Sequence, residues 1–342
     1  MTSYTKLNAA LTKAQGWPAR RWFIAGGAGF IGSHFTDALL ANPAVTAVTI
    51  FDNFSSGREW HFRHHSGNPA LKVVRGDLND TDRLNAAMTG HDAVIHLASN
   101  PDIAKAVKDP DIDFREGTVL TRQVVEAMRL TGARYILYAS GSGVYGDAGS
   151  LEFREEHGPL VPISTYGASK LAGEALIASY CYMFGLKGCA FRFGNVVGPR
   201  QTHGVGFDFV RQLLDHPDEL RILGDGSQSK SYIHVEDVVS AVLLAYERSE
   251  QPFTVYNVAT GDYITVTEIA EIAAGIVGCN GKTKFTYTGG DRGWKGDVPV
   301  VRLSTERIRS LGWQCGRNTA DAMRASLAAL IPEARKELAS VR

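Results

Sequence analysis

Gly26-Gly27-Ala28-Gly29-Phe30-Ile31-Gly32 lies directly between an apolar, β-rich run, Trp22–Ala25, and a stretch with helical spacing, Ile31–Ala41. Few features restrict a fold more. Gly26, Gly29 and Gly32 recur at intervals of three. A tight turn needs a residue free of Cβ restrictions, and close packing of helix on strand needs another. The helix that follows begins with free backbone amides. Together these predict a strand–turn–helix unit whose helix N-terminus receives phosphate groups.

The rest of the first half repeats the alternation. Strands are expected at Val45–Phe51, Leu71–Arg75, Ala93–Leu97 and Tyr135–Ala139, with a sixth at Gly188–Phe193. Their continuous apolar character suits parallel strands covered on both faces. Helical spacing runs through Asp82–Thr89, Thr118–Thr131 and about Thr165–Phe184. The predicted fold class is α/β, a Rossmann-type doubly wound parallel sheet. Beyond Asn195 glycines punctuate the pattern. Helices are expected at Asp208–Asp215, Val235–Arg248 and Thr267–Gly275, and strands at Leu220–Leu223 and Phe253–Val258. This half reads as a smaller α/β cap. The expected organisation is a dinucleotide-binding domain over 20–195 plus about 232–260, and a substrate-binding domain over 196–231 plus 261–335. Residues 1–19 form an N-terminal extension that reads as a loose tail.

Asp52 ends the second strand, where an acid accepts hydrogen bonds from ribose hydroxyls and repels a 2′-phosphate, favouring NAD over NADP. Asp77, after the third strand, is placed to reach an adenine amino group, and Leu97-Ala98-Ser99 closes the fourth strand beside the cofactor. Further along, Tyr166 and Lys170 stand four residues apart, one above the other on a helix face. An ammonium near a phenol favours the phenolate and lowers its pKa, so the pair reads as a general base.

Several classes of function are disfavoured. Lys+Arg and Asp+Glu are 36 each, so zero net charge supports neither nucleic-acid nor basic membrane-surface binding. No apolar run approaches the roughly 20 residues of a membrane span, and the first residues show no signal-peptide h-region. Cys181, Cys189, Cys279 and Cys315 have no ligand spacing and suit a reducing, cytoplasmic compartment. His61, His64 and His65 form the only histidine cluster. A metal would need further ligands in register, none is evident, and a solvated loop is expected.

The segments GGAGFIGS, FDNFSSG, GDL, HLAS, ASGSGVYG, YGASK, RFGNVVGP, GDGSQSKSYIHVEDV and GWKGDVP run from about Trp22 to Trp313. Together they resemble the extended short-chain dehydrogenase/reductase superfamily, and within it the NAD-dependent nucleotide-sugar epimerase/dehydratase family, UDP-glucose 4-epimerases included. The resemblance implies that Tyr166 and Lys170 are catalytic and that Lys170 bonds the nicotinamide ribose. It implies NAD contacts from Gly26, Gly29, Phe30, Ile31, Gly32, Asp52, Asn53, Ser55, Ser56, Gly57, Asp77, Leu78, Leu97, Ala98, Ser99, Ser140, Phe193 and Val196. A nucleoside-diphosphate sugar would meet Ser142, Asn195, Lys230, Arg292 and Asp297. A homodimer is implied through helices at about Asp113–Thr131 and Thr165–Phe184, with Leu171, Ala175 and Ala178 on the seam.

The chain departs from that pattern in telling places. The family's serine or threonine three residues before the valine of V-Y-G falls on Gly141, and Ser142 is the expected substitute. The dehydratases' Asp–Glu pair and the decarboxylases' glutamate fall on Ser142 and Gly143. Gly117 takes the place of an asparagine, Ala25 of a threonine, and Lys230 of an arginine on the substrate diphosphate. Lysine keeps the charge and loses the bidentate fork. The expected reaction is epimerisation at C4 through a 4-keto sugar. The alternatives are a nucleotide-sugar oxidoreductase or atypical dehydratase, drawing an acid from Glu116 or Asp102, and a non-catalytic NAD or nucleotide-sugar sensor.

Overall fold

The structure is a computed structural model that describes residues 19–100 and 102–341. The expected N-terminal tail lies outside the described residues. The chain runs β1 (Arg21–Ala25), α1 (Phe30–Leu40), β2 (Ala47–Asp52), β3 (Leu71–Arg75), α2 (Thr81–Met88), β4 (Ala93–His96), α3 (Leu120–Thr131), β5 (Tyr135–Gly141), α4 (Thr165–Phe184) and β6 (Lys187–Phe193). There follow β7 (Asn195–Val197), α5 (Val205–Asp215), β8 (Glu219–Ile222), β9 (Tyr232–His234), α6 (Val235–Arg248), β10 (Phe253–Val258), α7 (Val266–Val277), β11 (Lys284–Tyr287) and α8 (Thr319–Val341).

Seven strands form one parallel sheet in the order β10-β6-β5-β4-β1-β2-β3. Alternate residues of each strand face opposite layers. In β1, Trp22 and Ile24 join the layer that holds Phe35, Leu39 and the apolar face of α6. Phe23 joins the layer of Leu84, Val124 and Ile177 from α2, α3 and α4. Both faces are therefore covered, which is why the strands read as unbroken apolar runs. Strand order reverses between β1 and β4, and ligands in such sheets bind at the carboxyl ends beside that reversal.

The smaller core gathers Phe209, Leu213, Leu220, Ile269, Ala273, Met323 and Leu327 from α5, β8, α7 and α8. Two short parallel pairs, β7 with β9 and β8 with β11, build this part. Thr265 starts α7 with a reciprocal capping box to Glu268.

Two expectations change. The helix expected at Thr118–Thr131 is preceded by a π-helical turn, Phe114–Val119. Gly117 within it permits a close approach, since a Cβ there would lie 2.0 Å from Ser169 Oγ. Leu171, expected on a dimer seam, packs instead against the chain's own Val144–Phe153–Leu303 cluster. Ala175 is exposed and Ala178 half-buried.

Candidate active site

A cavity of about 580 Å³ opens at the carboxyl ends of the central strands. Its wall begins at Gly26, Gly29, Phe30, Ile31 and Gly32, and continues through Asp52, Asn53, Ser55, Ser56, Asp77, Leu78, Leu97, Ala98 and Ser99. It then reaches Ser140, Ser142, Tyr166, Lys170, Phe193, Asn195 and Val196, and closes against Lys230 and Asp297. Two expected residues are not on this wall. Gly57 packs behind it, where a Cβ would lie 2.8 Å from Ala28 Cβ and 2.9 Å from Asp52 Oδ1. Arg292 is held aside by an ion pair to Asp147 at 2.6 Å and by the Asp297 carbonyl.

The glycine turn has the shape of a phosphate cradle. Gly26 takes φ +80°, and a Cβ on it would lie 2.6 Å from Ala98 N. A Cβ on Gly32 would lie 2.7 Å from Gly27 Cα. Gly29 caps α1 without a side-chain bond, so the first amides of the helix remain for a ligand. Asp52 accepts Ala28 N at 2.9 Å and Phe54 N at 2.8 Å while still facing the cavity. Burial raises its carboxyl pKa, against these two bonds.

Ser164 accepts Gly167 N and starts α4, placing Tyr166 in the first turn. Lys170 is buried, donates to the Ala139 carbonyl at 2.8 Å, and holds its ammonium 5.4 Å from the centre of the Tyr166 ring. The expected fall in the tyrosine pKa does not occur in the protein alone. Burial pushes the Tyr166 phenol up to about 12, with a hydrogen bond from Ser99 acting the other way. Burial also lowers the Lys170 ammonium to about 8, partly offset by the charge of Asp113. Desolvation of both groups outweighs their mutual help at this separation.

The profile of the NAD dependent epimerase/dehydratase family matches residues 22–259. The chain belongs to that family. It is 33% identical over 301 residues to the UDP-glucose 4-epimerase of Mycolicibacterium smegmatis, covering 86% of this chain and 93% of that one. A crystal structure of a UDP-galactose 4-epimerase is 37% identical, with a TM-score of 0.80 over 92% of this chain and 99% of that one. A dTDP-glucose 4,6-dehydratase of Streptomyces venezuelae, a double mutant solved with NAD bound, is 26% identical, with a TM-score of 0.84 over 94% of this chain and all of that one, 100%. NAD is the cofactor, and the glycine cradle and Asp52 fit it.

In this epimerase/dehydratase relative the departures acquire a geometry. Ser140 lines the cavity, but its hydroxyl donates to Glu174 Oε1 at 2.6 Å. Glu174 is paired with Arg192 at 2.7 Å, both buried, and the Arg192 guanidinium lies over Tyr145. Ser140 is therefore an anchor of the turn. At Gly141 a Cβ would meet nothing within 4 Å, so no neighbour has filled the place of the family's hydroxyl. Ser142 opens a short 3-10 turn, Ser142–Tyr145, on the cavity wall. Lys230 already holds Asp297 at 2.5 Å.

The histidines are not a solvated loop. His61 is fully buried and its Nδ1 meets the Ala28 carbonyl at 2.8 Å. His64 and His65 both reach Asp37 Oδ1, at 2.8 and 2.7 Å. Arg200 holds the other oxygen of that carboxylate at 2.5 Å, and its fixed positive charge opposes a metal ion there. The four cysteines are free thiols. Among the described residues no helix is long and apolar enough to cross a membrane.

Sequence reasoning missed Asp113. It is buried, accepts Thr165 Oγ1 at 2.6 Å and Asn100 Nδ2 at 2.9 Å, and its carbonyl takes Ser169 Oγ at 2.7 Å. Its charge acts on both Tyr166 and Lys170. No spacing marks it, because its partners lie 52 and 13 residues away. Trp294, His203 and Gln201 also line the cavity without a sequence signal.

Proposed function

We propose that the protein is an NAD-dependent nucleotide-sugar 4-epimerase. The observation that carries this reading is the distribution of carboxylates. Among the described residues the cavity wall bears Asp52, Asp77, Glu116 and Asp297. Asp52 and Asp77 follow β2 and β3, and Glu116 lies within the field of Asp77, which helps to raise its pKa after burial. Asp297 is paired with Lys230. The turn beside Tyr166 carries none, and Asp102 is not on the wall. Elimination or decarboxylation needs an acid at the reacting sugar, whereas epimerisation needs one base that returns its proton.

Tyr166 takes the proton of the sugar O4 hydroxyl and later gives it back. When bound, NAD accepts a hydride from the sugar carbon and returns it, and its oxidised ring brings a positive charge that favours the phenolate. Lys170 holds the nicotinamide ribose and adds its own charge. Ser142 bonds the reacting hydroxyl in place of the side chain missing at Gly141. Lys230 exchanges Asp297 for the diphosphate, Asn195 and Asp297 hold the nucleotide side, and Arg292 joins them by leaving Asp147. Relatives named for UDP-glucose and UDP-galactose support a UDP-hexose as the donor. A cytoplasmic homodimer through α3 and α4 accounts for the exposed Leu130, Tyr182 and Met183.

The test is a panel of UDP-, GDP-, CDP- and dTDP-sugars, with sugar identity followed by NMR and reduced cofactor by absorbance. A sugar inverted at C4 without NADH accumulation is expected. NADH build-up or loss of water would instead establish an oxidoreductase or dehydratase. NAD retention without turnover of any donor would establish a sensor.

A further inference from the structure

Three hydroxyls could support the Tyr166 base, and they are differently placed. Ser140 is bound to Glu174 on the far side of its strand. Ser142 lies on the turn after Gly141, on the cavity wall. Ser99 comes from another element, the segment after β4, and its hydroxyl meets that of Tyr166 across the cavity floor. The space over Gly141 is open, so the family's usual hydroxyl has been lost without a local replacement.

We propose that Ser99 is the hydroxyl partner of Tyr166, so that two duties joined in one side chain elsewhere in the family are divided here between Ser99 and Ser142. The proposal rests on Tyr166 being the base of the reaction. Ser99 donates a hydrogen bond to the phenolate and accepts one from the phenol, so it follows both protonation states without net proton transfer. Ser142 is left free to hold the sugar hydroxyl. A hydroxyl fixed beside a buried phenolate replaces the water that burial removes.

The experiment is a pH titration of NAD-loaded protein carrying 13Cζ-tyrosine, read by NMR, with Tyr166→Phe assigning the resonance. Ser99→Ala is expected to raise the Tyr166 pKa by about 1 unit, the equivalent of one hydrogen bond to a charged group. In turnover it lowers kcat roughly 10-fold at pH 7 and moves the acidic limb of the pH profile upward by the same amount. Ser99→Thr retains the wild-type titration, and Gly141→Ser in the Ser99→Ala background restores it. Ser142→Ala leaves the titration in place and lowers turnover alone. An unchanged Tyr166 titration in a folded, NAD-loaded Ser99→Ala protein overturns the proposal, as does the same result in Ser99→Gly should the alanine variant not fold. The titration needs no substrate, so it stands if no donor is epimerised, and failure of the epimerase reading is seen separately in the donor panel.

Discussion

Gly167 is the narrowest point between helix α4 and the reaction turn. A Cβ placed on it would lie 2.4 Å from the Gly143 carbonyl oxygen, 2.9 Å from the Gly143 carbonyl carbon and 3.0 Å from Pro162 Cβ. The obstruction is backbone, so no side chain can swing away. Restoring ordinary contact requires the turn and the helix to separate by roughly 1 Å. Two stability effects oppose each other in Gly167→Ala. Overpacking costs about 1–3 kcal/mol, while alanine gains about 1 kcal/mol over glycine in a helix. The net change in stability is therefore small, a few degrees in Tm. The catalytic effect has no such offset. A displacement of about 1 Å between reacting groups costs on the order of 100-fold in rate. The expected signature is kcat reduced about 100-fold, with bound NAD retained and Tm shifted by less than about 6 °C. Steady-state epimerisation, cofactor content after gel filtration and a thermal melt give the three readings. Ala168→Gly, one residue along on the exposed face, serves as the control: it lowers Tm and leaves kcat unchanged. A Gly167→Ala protein with wild-type kcat would refute the idea that helix and turn hold a fixed register.

Other outcomes follow from the same geometry. Glu174→Gln leaves the Arg192 guanidinium buried without its counter-charge and should cost about 3–5 kcal/mol in denaturant unfolding, and Glu174→Leu with Arg192→Met should recover much of that loss. The folded-state pKa of Lys170 lies below its unfolded value, so the unfolded chain binds more protons between about pH 8 and pH 10.5, and this group's contribution to the stability of NAD-free protein rises across that interval. Lys170→Met removes the penalty and should raise the NAD-free Tm at pH 7 by about 2–6 °C while abolishing turnover, checked by melts at several pH values. Lys230→Ala should raise KM for the donor at least 10-fold with kcat little changed, because its ion pair with Asp297 lies far from the reacting carbon; an equal loss in kcat would contradict that placing.

What was legible in the sequence was local. The strands, the glycine turn and the Tyr166–Lys170 pair are encoded by neighbours within a few residues, and their residue types follow from burial on two faces or from a missing Cβ. What was not legible depended on distant partners. Ser140 reads as a cofactor contact until Glu174, 34 residues on, captures its hydroxyl. Asp113 gains its meaning only from Thr165 and Asn100. The histidine run gives no hint that His61 closes under the glycine turn or that His64 and His65 meet Asp37. The acidity of Tyr166 was misjudged for the same reason. Spacing gives the lysine, but only the fold gives the desolvation that outweighs it.

Helix α4 carries the base, the close-approach glycine, the lysine and the glutamate that anchors the turn, at positions 166, 167, 170 and 174. The groups assigned to the nucleotide side come from segments beyond residue 195. The chemical half of the site is thus mounted on a single rod, and the recognition half on separate loops. Donor preference can drift, or be engineered, by exchanging the loops around Lys230 and Trp294 while the rod keeps its alignment. A new reaction type is harder to reach, since any added acid must fit a turn already wedged against Gly167.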